Sequence, residues 1–248
     1  MVDQDPHTPL KAPVQTVFFD FDGTLVFQEP DSFDVLCDFC SEIGQPPTPE
    51  AEQRGRRARH EYFVDPTIRE RIEGLSQEDF WRHFVRHMLD SMGVVGDWDR
   101  LVPEAMARLA DFEHGYTCPA DGCHTLAELR RRGYQLGLVT NRQHVENFYE
   151  LLDELELRSR FDLVLASGEV GILKPEPGIF TAALEQMEAQ AHQSLYIGDN
   201  YWADVVGARK AGLTPVLLDP HQIFPEADCL LLNRVSDLLT ILPQRKSL

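Results

Sequence analysis

The sequence lacks any long apolar run: no stretch approaches the roughly eighteen residues that a helix needs to cross a bilayer. The first fifteen residues contain several acidic residues and prolines and no apolar segment of signal-peptide length. Cysteine is also scarce, with five residues scattered along the chain. An odd number spread along the chain does not indicate a disulfide framework, although Cys37 and Cys40 form a CxxC. These absences predict a soluble, cytoplasmic protein whose thiols are reduced.

Positive charge is in short supply. The chain has 23 Lys and Arg against 41 Asp and Glu, which gives a net charge of −18. A surface this acidic repels a phosphate backbone, so neither nucleic acid nor an anionic membrane is expected as a partner. Any site for an anionic ligand needs a local cation or a bound metal. The 248 residues, 43% hydrophobic and 26% charged, have the composition of one large globular domain or two modest ones.

What the sequence does contain is an ordered series of predicted strands. Residues 14–20 form a short apolar run typical of a buried strand. Helices and strands alternate strictly from residue 118 onward, with helices at 121–132, 143–157, 177–190 and 201–211. The predicted strands of this part are 135–140, 162–166, 194–198, 215–218 and 229–232, and a terminal helix starts at 235. This alternation predicts an α/β fold with a doubly wound parallel sheet.

The segment between the first strand and the alternating part has a different character. Phe33, Leu36, Cys37 and Cys40 repeat at helical spacing, and no convincing strand is visible in 28–117. The predicted domains are therefore an α/β core of 1–27 and 117–248 and an inserted α-helical domain of 28–116.

Polar residues follow the predicted strands, where ligands bind in parallel sheets. Taken singly, each has an ordinary interpretation: an Asp-Gly turn after the first strand, or a helix N-cap after the others. Carboxylates converging about 4 Å apart would repel by roughly 4 kcal/mol, which a lysine and Mg²⁺ would relieve. Together they offer a nucleophile, an acid/base and an anion cradle, the components of phosphoryl transfer. The residues are Asp20, Asp22, Thr140, Asn141, Lys174, Asp199 and Asp204.

Four segments resemble, in order, the four motifs of the haloacid dehalogenase superfamily: FFDFDGTL, LVTN, ILKPEPGIF and YIGDNYWADVVGARKAG. The resemblance covers about 150 residues of the core and implies that Asp20 is a covalent nucleophile and Asp22 a general acid and base. It implies that Thr140 and Asn141 lie near the phosphoryl group and that Lys174 bridges nucleophile and phosphate. The residues implied at Mg²⁺ are Asp20, Asp22 through its backbone carbonyl, Asp199 and Asp204.

The resemblance also discriminates among the chemistries of the superfamily. Dehalogenase-like members lack the second Asp of the first motif and phosphonate-cleaving members replace it, whereas Asp22 is present here. The expected function is a Mg²⁺-dependent phosphatase that hydrolyses a small phosphate monoester through an aspartyl-phosphate, as a monomer or homodimer. A phosphomutase is the alternative. A catalytically silent binding protein is disfavoured because all seven of these motif side chains are intact.

The insertion at 28–116 resembles the helical cap of the first subfamily, in which we expect substrate choice to lie. Two features of this segment allow two interpretations each. Its arginines either meet a second anionic group of the substrate or form an exposed helix face paired with acidic neighbours. Its aromatic residues, among them Tyr62, Phe63, Trp81 and Trp98, either stack on a substrate ring or form the core of the helical domain.

Overall fold

The structure is a computed structural model that describes residues 13–111 and 115–245. The chain divides into two compact units, a core unit of 1–27, 117–220 and 225–248 and a helical unit of 28–116 and 221–224. The segment 221–224 joins the helical unit, although the sequence placed it in the core. Residues 1–12 and 246–248 of the predicted core, and 112–114 of the predicted cap, lie outside the described residues.

A six-stranded parallel sheet forms the centre of the core unit, in the order β5-β4-β1-β6-β7-β8. Strand β1 is fully buried, with Phe19 in register with Leu138 on one side and Ile197 on the other. The doubly wound parallel fold is confirmed. The strands of the described chain are β1 Thr16–Phe19, β2 Phe27–Glu29, β3 Gly115–Thr117, β4 Gln135–Thr140, β5 Leu163–Ala166, β6 Ser194–Gly198, β7 Thr214–Leu218 and β8 Leu230–Leu232.

Strands β2 and β3 contradict the prediction that 28–117 contains no strand. They pair with each other in a separate two-stranded sheet where the chain leaves and re-enters the core unit. Each has three residues, none of them fully buried. Because segments this short show no period-2 alternation, and because their partners are distant in sequence, local pattern could not reveal them.

Five helices make up most of the helical unit, and side-chain caps start several of them. Asp31 accepts a hydrogen bond from the Phe33 amide, and Thr48 and Ser76 cap the next helices in the same way. A buried cluster that includes Tyr62 packs between them. The helices are α1 Ser32–Glu42, α2 Pro49–Tyr62, α3 Pro66–Ile72, α4 Gln77–Ser91 and α5 Trp98–Ala110.

The arginine-rich segment of the helical unit is largely paired. Arg54 donates to the backbone oxygens of Glu50 and Ser91. Three further arginines form ion pairs of 2.7–2.9 Å within the unit: Arg56 with Asp34, Arg57 with Glu61, and Arg59 with Asp31. The side chain of Arg69 lies outside the described part. These contacts fit the interpretation of a paired helix face.

The helices of the core unit follow the predicted order with shifted limits. Gly133, with φ of +87°, follows α6 (Ala120–Arg131) and stops it. The predicted helix 201–211 is instead a π-helical turn, Tyr201–Val206, followed by α10 (Gly207–Lys210). A short helix, α8 (Ser167–Val170), follows the fifth strand, where no helix is predicted. The helices are α6 Ala120–Arg131, α7 Val145–Glu154, α8 Ser167–Val170, α9 Pro177–Gln186, α10 Gly207–Lys210 and α11 Leu238–Ile241. Among the described residues, no helix is both long enough and apolar enough to cross a membrane.

Candidate active site at the carboxyl edge of the sheet

Asp20 lies directly after β1, which pairs with β4 on one side and with β6 on the other. Its amide donates to the carbonyl of Ile197 at 2.8 Å, so its backbone is fixed as an extension of the sheet. The residue is only 7% exposed. Its Oδ1 lies 2.7 Å from Nζ of Lys174, which lies 2.7 Å from Oδ1 of Asp204 as well. Three segments distant in the sequence thus bring one buried cation between two carboxylates.

The position of Lys174 is fixed from two directions. Its Nζ donates to the hydroxyl of Tyr196 at 2.9 Å, and that hydroxyl donates to the carbonyl of Val139 at 2.8 Å. Its backbone is held by Asn141, whose Oδ1 accepts from the Lys174 amide at 2.7 Å and whose Nδ2 donates to the Lys174 carbonyl at 3.0 Å. Hydrogen bonds therefore fix both the side chain and the backbone of Lys174.

The burial of these groups changes their protonation. Burial raises the pKa of Asp20 to about 7; the charge of Lys174 opposes this shift, and that of Asp204 adds to it. Burial alone would lower the pKa of Lys174, but the two adjacent carboxylates hold it well above its ordinary value. Lys174 is therefore a permanent cation at neutral pH, and it favours the ionised form of Asp20.

Asp20, Asp199 and Asp204 form a cluster in which one ligand atom from each lies within 4.8 Å of the others. In the described part of the chain, no other three or more residues of the ligating types come together in this way. Hard oxygen donors of this kind suit a divalent cation such as Mg²⁺. Both oxygens of Asp204 accept hydrogen bonds, Oδ1 from Nζ of Lys174 at 2.7 Å and Oδ2 from the Asn200 amide at 2.9 Å. The buried cluster is compatible with a bound cation.

Two glycines allow the carboxylates to lie against the backbone. Gly23 has φ of +74°, and a Cβ placed there would lie 2.2 Å from Oδ2 of Asp199. A Cβ on Gly198 would meet Oδ2 of Asp204 at the same distance. No side chain fits at either position without moving a carboxylate of the cluster, which explains the glycines of both motifs in steric terms.

The side chain of Asp22 is separate from this cluster. It is 49% exposed and forms a two-pronged ion pair with Arg142, at 2.8 Å from Nε and 2.5 Å from Nη2. The Arg142 carbonyl accepts from the Gly168 amide at 3.1 Å, and the guanidinium lies over the Phe21 ring at 5.6 Å. Arg142 thus orients the carboxyl group that the sequence predicts to be the acid and base.

The segment after β4 differs from the predicted anion cradle at a helix start. Thr140 ends β4 and is buried, but α7 begins only at Val145, with His144 at its N-cap. Asn141 precedes the helix and uses both ends of its amide on the Lys174 backbone. The segment acts on the site through the loop that carries Lys174.

Two residues of the site were not identified from the sequence. Arg142 lies two residues after the end of β4, and this position near a strand end was a signal that could have marked it as a candidate. Tyr196 lies inside the apolar run of β6, and a tyrosine in a fully buried strand needs a partner for its hydroxyl. That requirement was a second usable signal.

Known proteins resemble this chain over most of its described length. The sequence model of the haloacid dehalogenase-like hydrolase family matches residues 14–212. The chain is 34% identical over 155 residues to the human haloacid dehalogenase-like hydrolase domain-containing protein 3, covering 59% of this chain and 61% of that protein. It is 45% identical over 95 residues to a phosphoserine phosphatase of Thermus thermophilus, covering 38% of this chain and 37% of the phosphatase.

The fold also matches solved structures. The magnesium-bound HAD-hydrolase YfnB of Bacillus subtilis aligns with a TM-score of 0.60 at 19% identity, covering 93% of this chain and 99% of that one. At this identity the likeness shows the fold alone. The chain spans about three fifths of the length of the human relative, so the two proteins are alike in part of their length.

Proposed function

The chain belongs to the haloacid dehalogenase-like hydrolase family, and from this premise we propose that it is a phosphatase that hydrolyses a small phosphate monoester. The observation that carries the proposal is the buried carboxyl group of Asp20 at the end of the central strand, in contact with Lys174 at 2.7 Å and within the carboxylate cluster. The phosphatase names of several relatives support the same reaction class.

In the proposed reaction, an oxygen of Asp20 attacks the phosphorus atom and the bond to the leaving alkoxide breaks. The alkoxide takes a proton from Asp22, which leaves an aspartyl-phosphate on Asp20. Asp22 then removes a proton from a water molecule, whose oxygen attacks phosphorus and releases Asp20 and inorganic phosphate. Lys174 favours this sequence by stabilising the ionised form of Asp20 and by offering positive charge beside the phosphoryl oxygens.

The carboxylates of Asp20, Asp199 and Asp204, together with the backbone carbonyl of Asp22, are the groups that would hold Mg²⁺. When bound, Mg²⁺ supplies positive charge that neutralises the phosphoryl oxygens of the substrate. The fit is supported by the convergence of the three side chains and by the two glycines that leave them room. We propose that Thr140 and Asn141 shape the phosphate subsite. Asn141 does so through its hydrogen bonds to the backbone of Lys174.

Asp22 distinguishes the phosphatase from a dehalogenase-type reaction. An alkoxide leaving group needs a proton, whereas a halide does not. Asp22 has the required side chain, and its two contacts with Arg142 hold that side chain in one orientation. The proposed partner is a small phosphate ester, as the names of the phosphatase relatives suggest.

The test is turnover of an aryl phosphate in ¹⁸O-labelled water with Mg²⁺ present. The oxygen of water should enter inorganic phosphate and none should enter the peptide that contains Asp20. Asp20→Asn should lower kcat about a thousandfold or more, because an amide is a poor nucleophile. Asp228→Asn is the matched control, since Asp228 pairs with Arg209 at 2.8 Å, outside the carboxylate cluster.

Label in the Asp20 peptide would overturn the phosphatase and favour carbon chemistry. Little label in phosphate combined with rapid interconversion of sugar phosphates would favour a mutase. Near-normal rates of Asp20→Asn would require direct attack by water in place of the covalent route.

Metal dependence is tested separately by binding. Titration calorimetry with Mg²⁺ alone should detect a site in the wild-type protein, and Asp199→Asn should weaken it tenfold or more because one of three carboxylates is lost. Chelator should abolish turnover. Unchanged Mg²⁺ affinity in the Asp199 variant would remove this residue from the proposed ligands, and full activity in excess chelator would exclude the metal from the reaction.

A further inference from the structure

Two of the five cysteines are in direct contact, although the reaction does not use them. The Sγ atoms of Cys118 and Cys123 lie 3.0 Å apart, and both residues are partly exposed and in the thiol state. A disulfide bond is about 2.05 Å long, so the sulfur atoms need to approach by only about 1 Å to bond.

The local fold brings the two thiols together. Cys118 lies just after the chain re-enters the core unit, and Pro119 is the N-cap of α6. The amide of Cys123 donates to the Pro119 carbonyl at 3.2 Å, which fixes Cys123 in the first turn of the helix. Gly122 borders the pair, since a Cβ there would lie 3.6 Å from Sγ of Cys118, an ordinary contact distance. The approach is therefore built into the reduced fold.

The other cysteines are placed differently. Cys37 contacts the sulfur of Met92 at 3.9 Å, and Cys40 is fully buried in the cluster of the helical unit. The CxxC spacing of these two residues would have been the usual signal for a redox pair. The close contact of two sulfur atoms is instead between Cys118 and Cys123.

We propose that Cys118 and Cys123 form a reversible dithiol–disulfide pair that is oxidised by low-molecular-weight disulfides. The sulfur of Cys123 loses its proton and attacks one sulfur of the oxidant, whose other half leaves as a thiol. Cys118 then loses its proton and attacks the sulfur of Cys123, which releases the second half. Two protein thiols are oxidised to one disulfide and the oxidant is reduced to two thiols.

The order of attack follows from the surroundings of Cys118. Burial and the neighbouring thiol raise the pKa of Cys118 to about 12, so the first attack is assigned to Cys123.

The pair also lies close to the turn that carries Asp22. A Cβ on Gly122 would lie 3.7 Å from Cδ2 of Leu25, and the Leu25 amide donates to the Phe21 carbonyl at 3.0 Å.

The test is a redox titration of the full chain in buffers of reduced and oxidised glutathione, quenched with acid and alkylated. Mass spectrometry should show one step that removes two hydrogen atoms and protects Cys118 and Cys123 from alkylation. The step should depend on the square of the reduced glutathione concentration and reverse with dithiothreitol. Cys118→Ser and Cys123→Ser should each lose the step, and Cys229→Ser, the matched control, should keep it.

Three results would overturn the proposal: no oxidation at the most oxidising ratio, a stable mixed disulfide with glutathione in the wild-type protein, or a disulfide that joins a different pair of cysteines. The wild-type titration with peptide mapping decides the question without the serine variants if one of them fails to fold, which circular dichroism would reveal.

Discussion

The core unit and the helical unit each bury an ionisable nitrogen base, and the pKa values of the two bases are shifted in opposite directions. Lys174 is 5% exposed and His60 is 7% exposed. Two carboxylates at 2.7 Å hold the pKa of Lys174 well above its ordinary value. Burial, reinforced by Arg59 and Arg56, lowers the pKa of His60 to about 3. Burial disfavours the charged form of both groups; the two carboxylates reverse this effect at Lys174, whereas the two arginines add to it at His60.

The difference in pKa distinguishes a site that contains buried charges from a region in which the buried base stays neutral. In the core unit, buried charges converge where parallel strands end. In the helical unit, the buried histidine lies edge-on to Phe224 at 5.6 Å, and the charges of Arg59 and Arg56 oppose its protonation. Its charged pairs lie nearer the surface, such as Arg59 with Asp31.

The largest effect is expected from removing the buried cation. Lys174→Met leaves Asp20 and Asp204 facing each other without a counter-charge, so we expect the free energy of unfolding to fall by about 3 kcal/mol. Turnover of an aryl phosphate should fall about a thousandfold. Urea unfolding and steady-state kinetics measure the two effects.

Lys210→Met is the matched control, because Lys210 is exposed at the end of α10. It should change neither quantity measurably. A Lys174 variant as stable as the wild type would show that the carboxylates do not depend on this cation, and the contrast with His60 would fail.

A smaller effect is expected from the partly exposed pair of Asp22 and Arg142. Arg142→Met should lower kcat about tenfold with KM nearly unchanged, since Asp22 loses the two contacts that orient it. Arg59→Met breaks a pair of similar exposure in the helical unit, at 2.9 Å. It should cost at most about 1 kcal/mol of stability and leave kcat within about twofold. Equal losses of kcat in both variants would contradict a positioning role for Arg142.

Much of the core was predictable because its signals are local. Strands 135–140 and 194–198 were predicted with their observed limits, since each is an uninterrupted buried run. The residues that follow the strands were expected to meet at one edge, and Asp20, Lys174 and Asp204 do so. Their catalytic roles remain predictions.

What could not be predicted depends on contacts between distant segments. Arg142 is identified as a partner of Asp22 only once β1 and β4 are adjacent. The pair β2 and β3 has no pattern of its own, and the limits of the π-helical turn at Tyr201–Val206 follow from hydrogen bonds to Asn200 and Asp204. The sulfur contact of Cys118 and Cys123 likewise depends on where α6 begins.

The smallest effect is a pH dependence of stability that belongs to His60. In the unfolded chain its pKa is about 6.5, whereas the folded protein keeps it neutral down to about pH 3. Between these values the unfolded state binds a proton that the folded state excludes, so the free energy of unfolding falls as the pH falls. His60 therefore lowers the free energy of unfolding by about 2 kcal/mol between pH 7 and pH 5.

His60→Gln, neutral at every pH, should lose this part of the slope, whereas His192→Gln, at an exposed position of the core unit, should keep it. Urea unfolding followed by tryptophan fluorescence measures it, because Trp81 and Trp98 both lie in the helical unit. Parallel pH profiles of wild type and His60→Gln would show that His60 has the same pKa in the folded and unfolded states, and the contrast with Lys174 would fail.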